Sequence, residues 1–261
     1  MDPLDDSHLR WELDVVPGLS TPGDFLFGGC GLAAGIVAME VASARPTVWA
    51  TAQYLSFAPT GSRLHLDVKL AAIGRRTTQA RTIGSVNGNE ILTVNGAFGQ
   101  PQGALHSVWV EPPVVDRPEN CPPRGLFPST TETIFDKIET RQALGRAFEE
   151  MAVAGAFKPG PSESAIWARV PGHLGMEAAA LAVFGDLVAG GVSQAVGRPT
   201  HGSSLDNTLR VAALEPTEWV LCDIHAFANS HGYAQGQAFL WSEEGRLLAT
   251  ASQSMSVRPT D

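Results

Sequence analysis

The sequence is poor in cysteine. It has three cysteines among 261 residues, Cys30, Cys121 and Cys222. They are odd in number and widely spaced, with no CxxC pair, so the sequence predicts neither a disulfide framework nor a zinc site. The His, Asp and Glu residues form no cluster with metal-ligand spacing either. The sequence therefore predicts no bound metal.

Basic residues are also few. Lys and Arg together number 18 against 27 Asp and Glu, which gives a formal net charge of -9 at pH 7. Binding to a phosphate backbone needs a basic face, so nucleic acid is not expected as a partner. One local basic pair, Arg75 and Arg76, remains available for a small anionic ligand.

The chain lacks a long apolar run that is free of charge. Its most apolar stretch, near residues 174–196, contains Glu177 and Asp186 and is interrupted by glycines. This pattern predicts a buried helix and no membrane insertion. The first 14 residues are acidic and have no apolar core, unlike a signal peptide. Together these features predict a soluble, cytoplasmic protein.

Two apolar segments are expected to form buried helices. The composition, 44% hydrophobic and 17% charged, is that of a globular protein with a sizeable core. Residues 28–44 are apolar almost all round, and Glu40 is their only charge. A helix without a polar face is normally enclosed by other structure, and Pro46 ends this one. Residues 175–197 predict a second helix of the same kind.

Strand-like segments follow each predicted helix. The first helix is followed by four of them, with a hairpin turn at Asn87-Gly88. The second helix is followed by four more, and two further strands are predicted before it, at 131–144 and 163–172. A proline-rich passage lies between the two sets and is typical of a linker.

The two sets resemble each other. Residues Leu64–Ala72 align with Val220–Ala228 at an offset of 156, which places Asp67 over Asp223. A repeat of this size indicates a duplicated domain. A strand, an enclosed helix and an antiparallel meander form a hotdog unit. We therefore predict an α+β double hotdog, with repeats at 1–110 and 129–261 and a linker at 111–128.

Three segments resemble the acyl-CoA thioesterase II family: FLFGGCGLAAGIVAM, SSLDNTLRV and RLLATASQSMSVR. The resemblance extends from about Asp24 to Arg258. In that family an FGG stretch opens the first helix, an SLDH-like segment carries a catalytic Asp, and a strand ending in ASxxQ carries a catalytic Gln. The resemblance implies an acyl-CoA substrate and assigns the catalytic roles to Asp206 and Gln253.

The chain departs from the family pattern at two places. Asn207 stands where the family often has His. The family also has a Thr or Ser on the strand between Asp and Gln, and an ungapped alignment places Phe227 or Ala228 there. Asn229 and Ser230 follow closely and are the predicted substitutes.

These residue types suit thioester hydrolysis, which needs a positioned water, a base and a stabilised oxyanion. Asp206 is expected to orient a water and take its proton, and Gln253 to hold the same water. A backbone N–H at a helix N-terminus can receive the oxyanion. The expected substrate-binding residues are three glycines that allow close approach to that backbone, an aromatic residue for the acyl chain and two arginines for the CoA phosphates: Gly28, Gly29, Gly31, Phe227, Arg75 and Arg76. No cofactor is implied.

The duplication provides an internal comparison. Offsets of 154 to 156 place Asp206 over Ala50 to Ala52, and offsets of 156 or 157 place Gln253 over Ala97 or Gly96, so the first half has neither polar group. One catalytic set per chain is therefore predicted. By analogy with the family, a homo-oligomer is expected.

Two other functions stay open. A hotdog hydratase or dehydratase would need a paired Asp and His, and no His follows Asp206 closely. An acyl-CoA or lipid-binding module without activity is the other, and the missing Thr or Ser favours it. A fold alone does not decide between them. The convergence of Asp206 and Gln253 on one point would favour hydrolysis.

Overall fold

The computed structural model describes residues 1–103, 107–124, 131–146, 160–173, 177–197 and 200–259. The helices are α1 (Gly28–Ser43), α2 (Ala178–Gly185) and α3 (Val188–Val196). The strands are β1 (Asp2–Pro3), β2 (Arg10–Asp14), β3 (Thr47–Tyr54), β4 (Arg63–Ile73), β5 (Thr77–Val86), β6 (Asn89–Gly99), β7 (Glu139–Leu144), β8 (Glu163–Arg169), β9 (Thr200–Ser204), β10 (Asp206–Val211), β11 (Val220–Ser230), β12 (Tyr233–Ser242) and β13 (Leu247–Pro259).

All of these strands join one antiparallel sheet. Its order is β1-β2-β4-β5-β6-β3-β10-β13-β12-β11-β8-β7, and β9 pairs with β13. The strands β3 and β10 join the two halves, and Thr51 lies opposite Thr208 in their register. Their hydroxyls are hydrogen-bonded at 2.7 Å although the residues are 157 positions apart in the chain. This pair therefore marks a pseudo-twofold axis between the halves.

A matching irregularity in each half confirms the duplication. The pairing of β4 with β5 shifts between Leu70 and Ala72, and the pairing of β11 with β12 shifts between Ala226 and Ala228. The bulged residues, Ala71 and Phe227, are therefore 156 positions apart, which is the offset found in the sequence. Bulges are designed features of a sheet, so their repetition is strong evidence for two copies of one unit.

The sheet wraps the helices, as the lack of a polar helix face predicts. In α1 the side chains of Leu32, Ile36 and Met39 are fully buried in the main core. The only charge in the helix, Glu40, accepts hydrogen bonds from the backbone N–H and the hydroxyl of Thr47 at 2.8 and 2.6 Å. The double hotdog and the first helix are thus confirmed.

The predicted turn between β5 and β6 is also confirmed. Asn87 and Gly88 both have positive φ angles, 51° and 80°. Two consecutive residues in the left-handed region are the requirement of a type I′ turn, whose twist matches that of the flanking strands.

The second long helix is not continuous, and here the prediction of one helix over 175–197 is wrong. The α-helical pattern stops after Gly185 and restarts at Val188, with Asp186 and Leu187 in a turn between them. Two short-range hydrogen bonds form this turn, from the N–H of Asp186 to Val183 and from the N–H of Leu187 to Phe184. The break places Asp186 inside the fold.

The stretch Ala178–Val196 is 19 residues long and has a mean hydropathy of 1.5, so by length and composition it could cross a membrane. It is mostly buried in the second half of the fold. A core helix enclosed by a sheet needs the same apolar composition. The absence of membrane insertion stays a prediction.

The prediction of a strand over 131–144 is wrong in its first half. Ile134–Asp136 forms a 3-10 turn, because the side chains of Thr133 and Asp136 cap it reciprocally. The strand begins only at Glu139.

Part of the proline-rich passage packs on the outer face of the sheet. The indole N–H of Trp167 donates a hydrogen bond to the carbonyl of Asp116 at 2.9 Å. Cys121 is buried there in a second apolar cluster with Trp167, Leu221 and Trp241. The passage therefore also stabilises the second half, while the predicted domain boundaries stay a prediction.

Candidate active site

The break between α2 and α3 places one carboxylate in the core. Asp186 is buried and its side chain accepts hydrogen bonds from three groups. The N–H of Gly29 donates to Oδ2 at 2.6 Å, Asn207 Nδ2 donates to Oδ1 at 3.2 Å, and Gln253 Nε2 also donates to Oδ1. A buried carboxylate needs such partners, because an unpaired charge in the core is very costly.

Two adjacent strands supply the amides. Asn207 lies on β10 and Gln253 on β13, and both side chains are buried on the face of the sheet that holds the helices. The amide of Gln253 also donates to the hydroxyl of Ser204 at 2.7 Å. The carbonyl oxygens Oδ1 of Asn207 and Oε1 of Gln253 are buried and have no protein partner among the described residues. Both therefore retain the capacity to accept a hydrogen bond.

The site is asymmetric about the pseudo-twofold axis. Gly29 and Asp186 are 157 positions apart and in contact. The same offset pairs Asn207 with Ala50 and Gln253 with Gly96. The polar residues belong to the second half, and the first half contributes small residues and the N-terminus of α1.

Gly28 lies at the edge of this cluster and is half-buried. A Cβ atom added to it would lie 2.9 Å from Asp186 Oδ2 and 3.1 Å from the hydroxyl oxygen of Tyr54. Only a glycine therefore allows the Asp186 carboxylate and the Tyr54 phenol to approach the start of α1 this closely. The N–H of Gly28, at the start of α1, has no hydrogen-bond partner among the described residues.

Burial sets the protonation of the carboxylate. It raises the pKa of Asp186 to about 7, while the hydrogen bonds from Gly29, Gln253 and Asn207 act in the opposite direction. A base is most effective when its pKa lies near the working pH. Burial and the nearby Asp186 also raise the pKa of the Cys30 thiol to about 12, so this thiol stays protonated near neutral pH.

Among the sequence-predicted residues, Gln253, Gly28 and Gly29 lie in this cluster. Asp206 does not meet Gln253. Its Oδ1 accepts the backbone N–H of Ser254 at 2.9 Å, and it lies opposite Gln53 in the sheet. Successive residues of a strand face opposite sides, so Asp206 faces away from the side chain of Asn207. The carboxylate beside Gln253 is Asp186 instead.

The predicted substitutes for the family's hydroxyl lie elsewhere. Asn229 and Ser230 are exposed at the end of β11. Asn229 and the exposed Phe227 line a cavity of about 430 Å³ beside Val192 and Val196 of α3. The structure thus does not bring these residues to Asp186 or Gln253.

The remaining predicted substrate-binding residues are Gly31, Arg75 and Arg76. Gly31 allows close packing, since a Cβ there would lie 2.8 Å from Leu92 Cδ2. Arg75 and Arg76 are exposed in the β4–β5 turn, where Arg45 donates hydrogen bonds to the carbonyls of Gly74 and Arg75. Their contact with CoA phosphates stays a prediction.

The Asp–His pair that a hydratase would need is found on the other face of the sheet. Asp223 Oδ1 and His225 Nε2 are 3.0 Å apart. Cys222 and Ile224 belong to the core around the helices, so their neighbours Asp223 and His225 face away from it. This pair is therefore separate from the cluster around Asp186. Among the described residues no group of three His, Cys, Asp or Glu is placed to hold a metal ion.

Sequence reasoning missed Asp186 and Asn207. The available signal was a single carboxylate in the middle of an otherwise apolar helix, where a charge is retained only for a specific partner. The offset of 157 gave a second signal, because it aligns Asp186 with a glycine at the start of the first helix.

A family model and a solved structure show which family the chain belongs to. The family model for the acyl-CoA thioesterase C-terminal domain matches residues 118–257. A proposed thioesterase from Novosphingobium aromaticivorans is 32% identical, covers 98% of both chains and has a TM-score of 0.86. No significant match is found among curated proteins.

Two more distant structures share the fold. A protein of unknown function with a hotdog fold from Alicyclobacillus acidocaldarius is 20% identical, with 97% of this chain and 94% of that chain covered and a TM-score of 0.79. An acyl-CoA thioesterase II from Mycobacterium marinum is 17% identical, with the same coverage and a TM-score of 0.75.

Proposed function

Because the chain belongs to the acyl-CoA thioesterase II family, we propose that it hydrolyses acyl-CoA to CoA and a free carboxylic acid. The observation that carries the proposal is the buried Asp186 carboxylate, held by the N-terminus of α1 and by the amides of Asn207 and Gln253. Its pKa of about 7 suits a general base at neutral pH.

The proposed step needs water as its only co-reactant. Ionised Asp186 takes a proton from a water whose oxygen bonds to the thioester carbonyl carbon, and the carbonyl π electrons move to oxygen. When this oxyanion collapses, the C–S bond breaks and its electrons pass to sulfur. The proton held by Asp186 then neutralises the thiolate, which gives the acid and the CoA thiol.

The neighbouring groups position the water. The free acceptor atoms of Asn207 and Gln253 can take its second hydrogen. A backbone N–H at the start of α1 carries a partial positive charge and suits the oxyanion. No cofactor enters this mechanism.

Thiol release from acyl-CoAs of short to long chain length, measured between pH 5 and 9, tests the proposal. We expect turnover, with kcat/KM rising as the pH increases through about 7, because only ionised Asp186 accepts a proton. Below that pH the carboxyl is neutral and the rate falls about tenfold per pH unit.

The control is the same assay on protein unfolded in urea. Absence of thiol release from every acyl-CoA by the folded protein would contradict hydrolysis. Saturable binding of the same acyl-CoAs without turnover would identify the protein as a binding module instead.

We also propose a homo-oligomer in the cytoplasm. The three cysteines are buried free thiols, which suits a reducing compartment. The segment after the first half exposes large apolar side chains, and Trp109 is 89% exposed. Such side chains together are typical of an interface between proteins.

Sedimentation velocity tests this association. We expect an oligomer for the wild type and a shift towards monomer for Trp109→Ala, since an exposed tryptophan anchors an interface strongly. Replacement of Ile73, which is 69% exposed in a different segment, by Ala is the control. A wild-type monomer at micromolar concentration would exclude the oligomer.

A further inference from the structure

Tyr54 is half-buried, and the catalytic steps above do not use its hydroxyl. It ends β3 in the first half of the chain. Its hydroxyl is buried and has no hydrogen-bond partner among the described residues. A buried polar group without a partner is rare in proteins, and it commonly marks a position that a ligand or water completes.

The hydroxyl lies beside Gly28, close to the carboxylate of Asp186. A Cβ atom on Gly28 would lie 3.1 Å from Tyr54 Oη and 2.9 Å from Asp186 Oδ2, so the two oxygens are at most about 6 Å apart. At this spacing a water on Asp186 and the carbonyl oxygen of the carbon it attacks can be neighbours, because each hydrogen bond spans about 2.7–3 Å. The phenol and the carboxylate both lie against the half-buried Gly28 at the start of α1.

The phenol is held in its neutral form. Burial, with smaller contributions from Asp186, Cys30 and Asp206, raises the pKa of Tyr54 well above its usual value, while the nearby side chain of Asn207 acts in the opposite direction. The hydroxyl can therefore donate a hydrogen bond near neutral pH, where Asp186 ionises. A protonated donor opposite an ionised base is the combination that carbonyl addition needs.

We propose that Tyr54 donates a hydrogen bond to the thioester carbonyl oxygen as this oxygen becomes an oxyanion, together with the N–H of Gly28. This inference rests on the proposed hydrolysis and extends it. The phenol belongs to the first half and the base to the second, so both halves of the duplicated chain build one catalytic centre.

The test compares Tyr54→Phe with Tyr233→Phe. The chain has two tyrosines, and Tyr233 is 60% exposed, so it is a matched control. We expect Tyr54→Phe to lower kcat about a hundredfold, as the loss of one oxyanion donor does, with KM changed only a few-fold. The pH at which kcat/KM rises should stay near 7, because Asp186 is still present. Tyr233→Phe should match the wild type.

A second measurement does not depend on turnover. Tyr233→Phe protein labelled with 3-fluorotyrosine has a single ¹⁹F signal, from Tyr54. We expect this signal to shift when an acyl-CoA ketone, with a methylene in place of the sulfur, is added. CoA alone should leave it unchanged.

The outcomes separate the inference from the proposed function. Active Tyr54→Phe protein with wild-type kcat overturns the role of Tyr54 and leaves hydrolysis intact. A wild type without hydrolysis overturns the proposed function, and the ¹⁹F shift then still decides whether Tyr54 faces a bound carbonyl. An unchanged ¹⁹F signal at saturating ketone overturns the inference.

Discussion

Asp186→Asn is expected to lower kcat about a thousandfold, the middle of the range for removal of a general base. Asparagine has nearly the same shape, but it cannot accept the proton of water. Asparagine also has only one acceptor oxygen, whereas Gly29, Asn207 and Gln253 donate to both oxygens of the Asp186 carboxylate. Thiol release under saturating acyl-CoA measures the loss, and the remaining rate should no longer rise through pH 7.

Asp206→Asn is the matched control, since it changes the other carboxylate near Gln253 in the same way. We expect it to keep activity within about tenfold, because Asp206 contacts the backbone of Ser254 and not the amide cluster. A large loss in Asp206→Asn with little loss in Asp186→Asn would show that the family-like sequence motif, and not the buried cluster, contains the base.

The stability of the wild type and of Asp186→Asn provides a check on folding. The pKa of Asp186 is raised from 3.8 to about 7, so the folded wild type favours the neutral carboxyl. Its free energy of unfolding should therefore fall as the pH rises from about 4 to about 7, relative to Asp186→Asn. Urea unfolding at pH 5 and pH 8 measures this difference.

The two carboxylates illustrate what the sequence could and could not predict. Gln253 was recognised from its motif and does lie in the cluster. Asp206 stands in the other motif, yet the alternation of side chains along β10 places Asn207 on the inner face and Asp206 on the outer one. A motif gives the order of residues but not the face they occupy. That face is fixed by the register between β3, β10 and β13.

The fold itself was more predictable, because it depends on patterns that are local. The uniform apolarity of α1 and the Asn87-Gly88 turn each specify their structure within a few residues. The interruption after Gly185 was not predictable in this way. It depends on the hydrogen bond between Asp186 and Gly29, which are 157 positions apart. The long-range contact, and not helix propensity, selects that break.

Among the alanine substitutions in α1, Gly29→Ala is expected to have the largest effect on stability. A Cβ at this position would lie 2.8 Å from Val183 Cα and 3.0 Å from the carbonyl oxygen of Ala182, and both are backbone atoms of α2. The two helices would have to separate, which typically costs about 1–3 kcal/mol. For a domain of this size, we expect the melting temperature to fall by about 2–4 °C per kcal/mol. The activity should fall too, because the hydrogen bond from Gly29 to Asp186 would lengthen.

Two neighbouring glycines of α1 supply the controls. In Gly31→Ala the new Cβ meets the flexible ends of Leu92 and Leu26, so stability and activity should change little. In Gly28→Ala the new Cβ would lie 2.9 Å from Asp186 Oδ2 and 3.1 Å from Tyr54 Oη, so it displaces side chains of the site and not the backbone of α2, and activity should fall more than stability. Equal effects of all three substitutions on melting temperature would contradict the helix contact described here.

The Gly29 contact also explains why one half alone carries the site. Gly29 and Asp186 occupy equivalent positions of the duplicated unit and touch across the pseudo-twofold axis. An Asp at both positions would bring two carboxylates together in a buried space, where like charges cannot both ionise. It would also add side-chain atoms where a single Cβ is already too close to α2. Gly29→Asp should therefore prevent folding. Circular dichroism of Gly29→Asp and of Gly31→Asp tests whether Asp is excluded only at the position beside the pseudo-twofold axis.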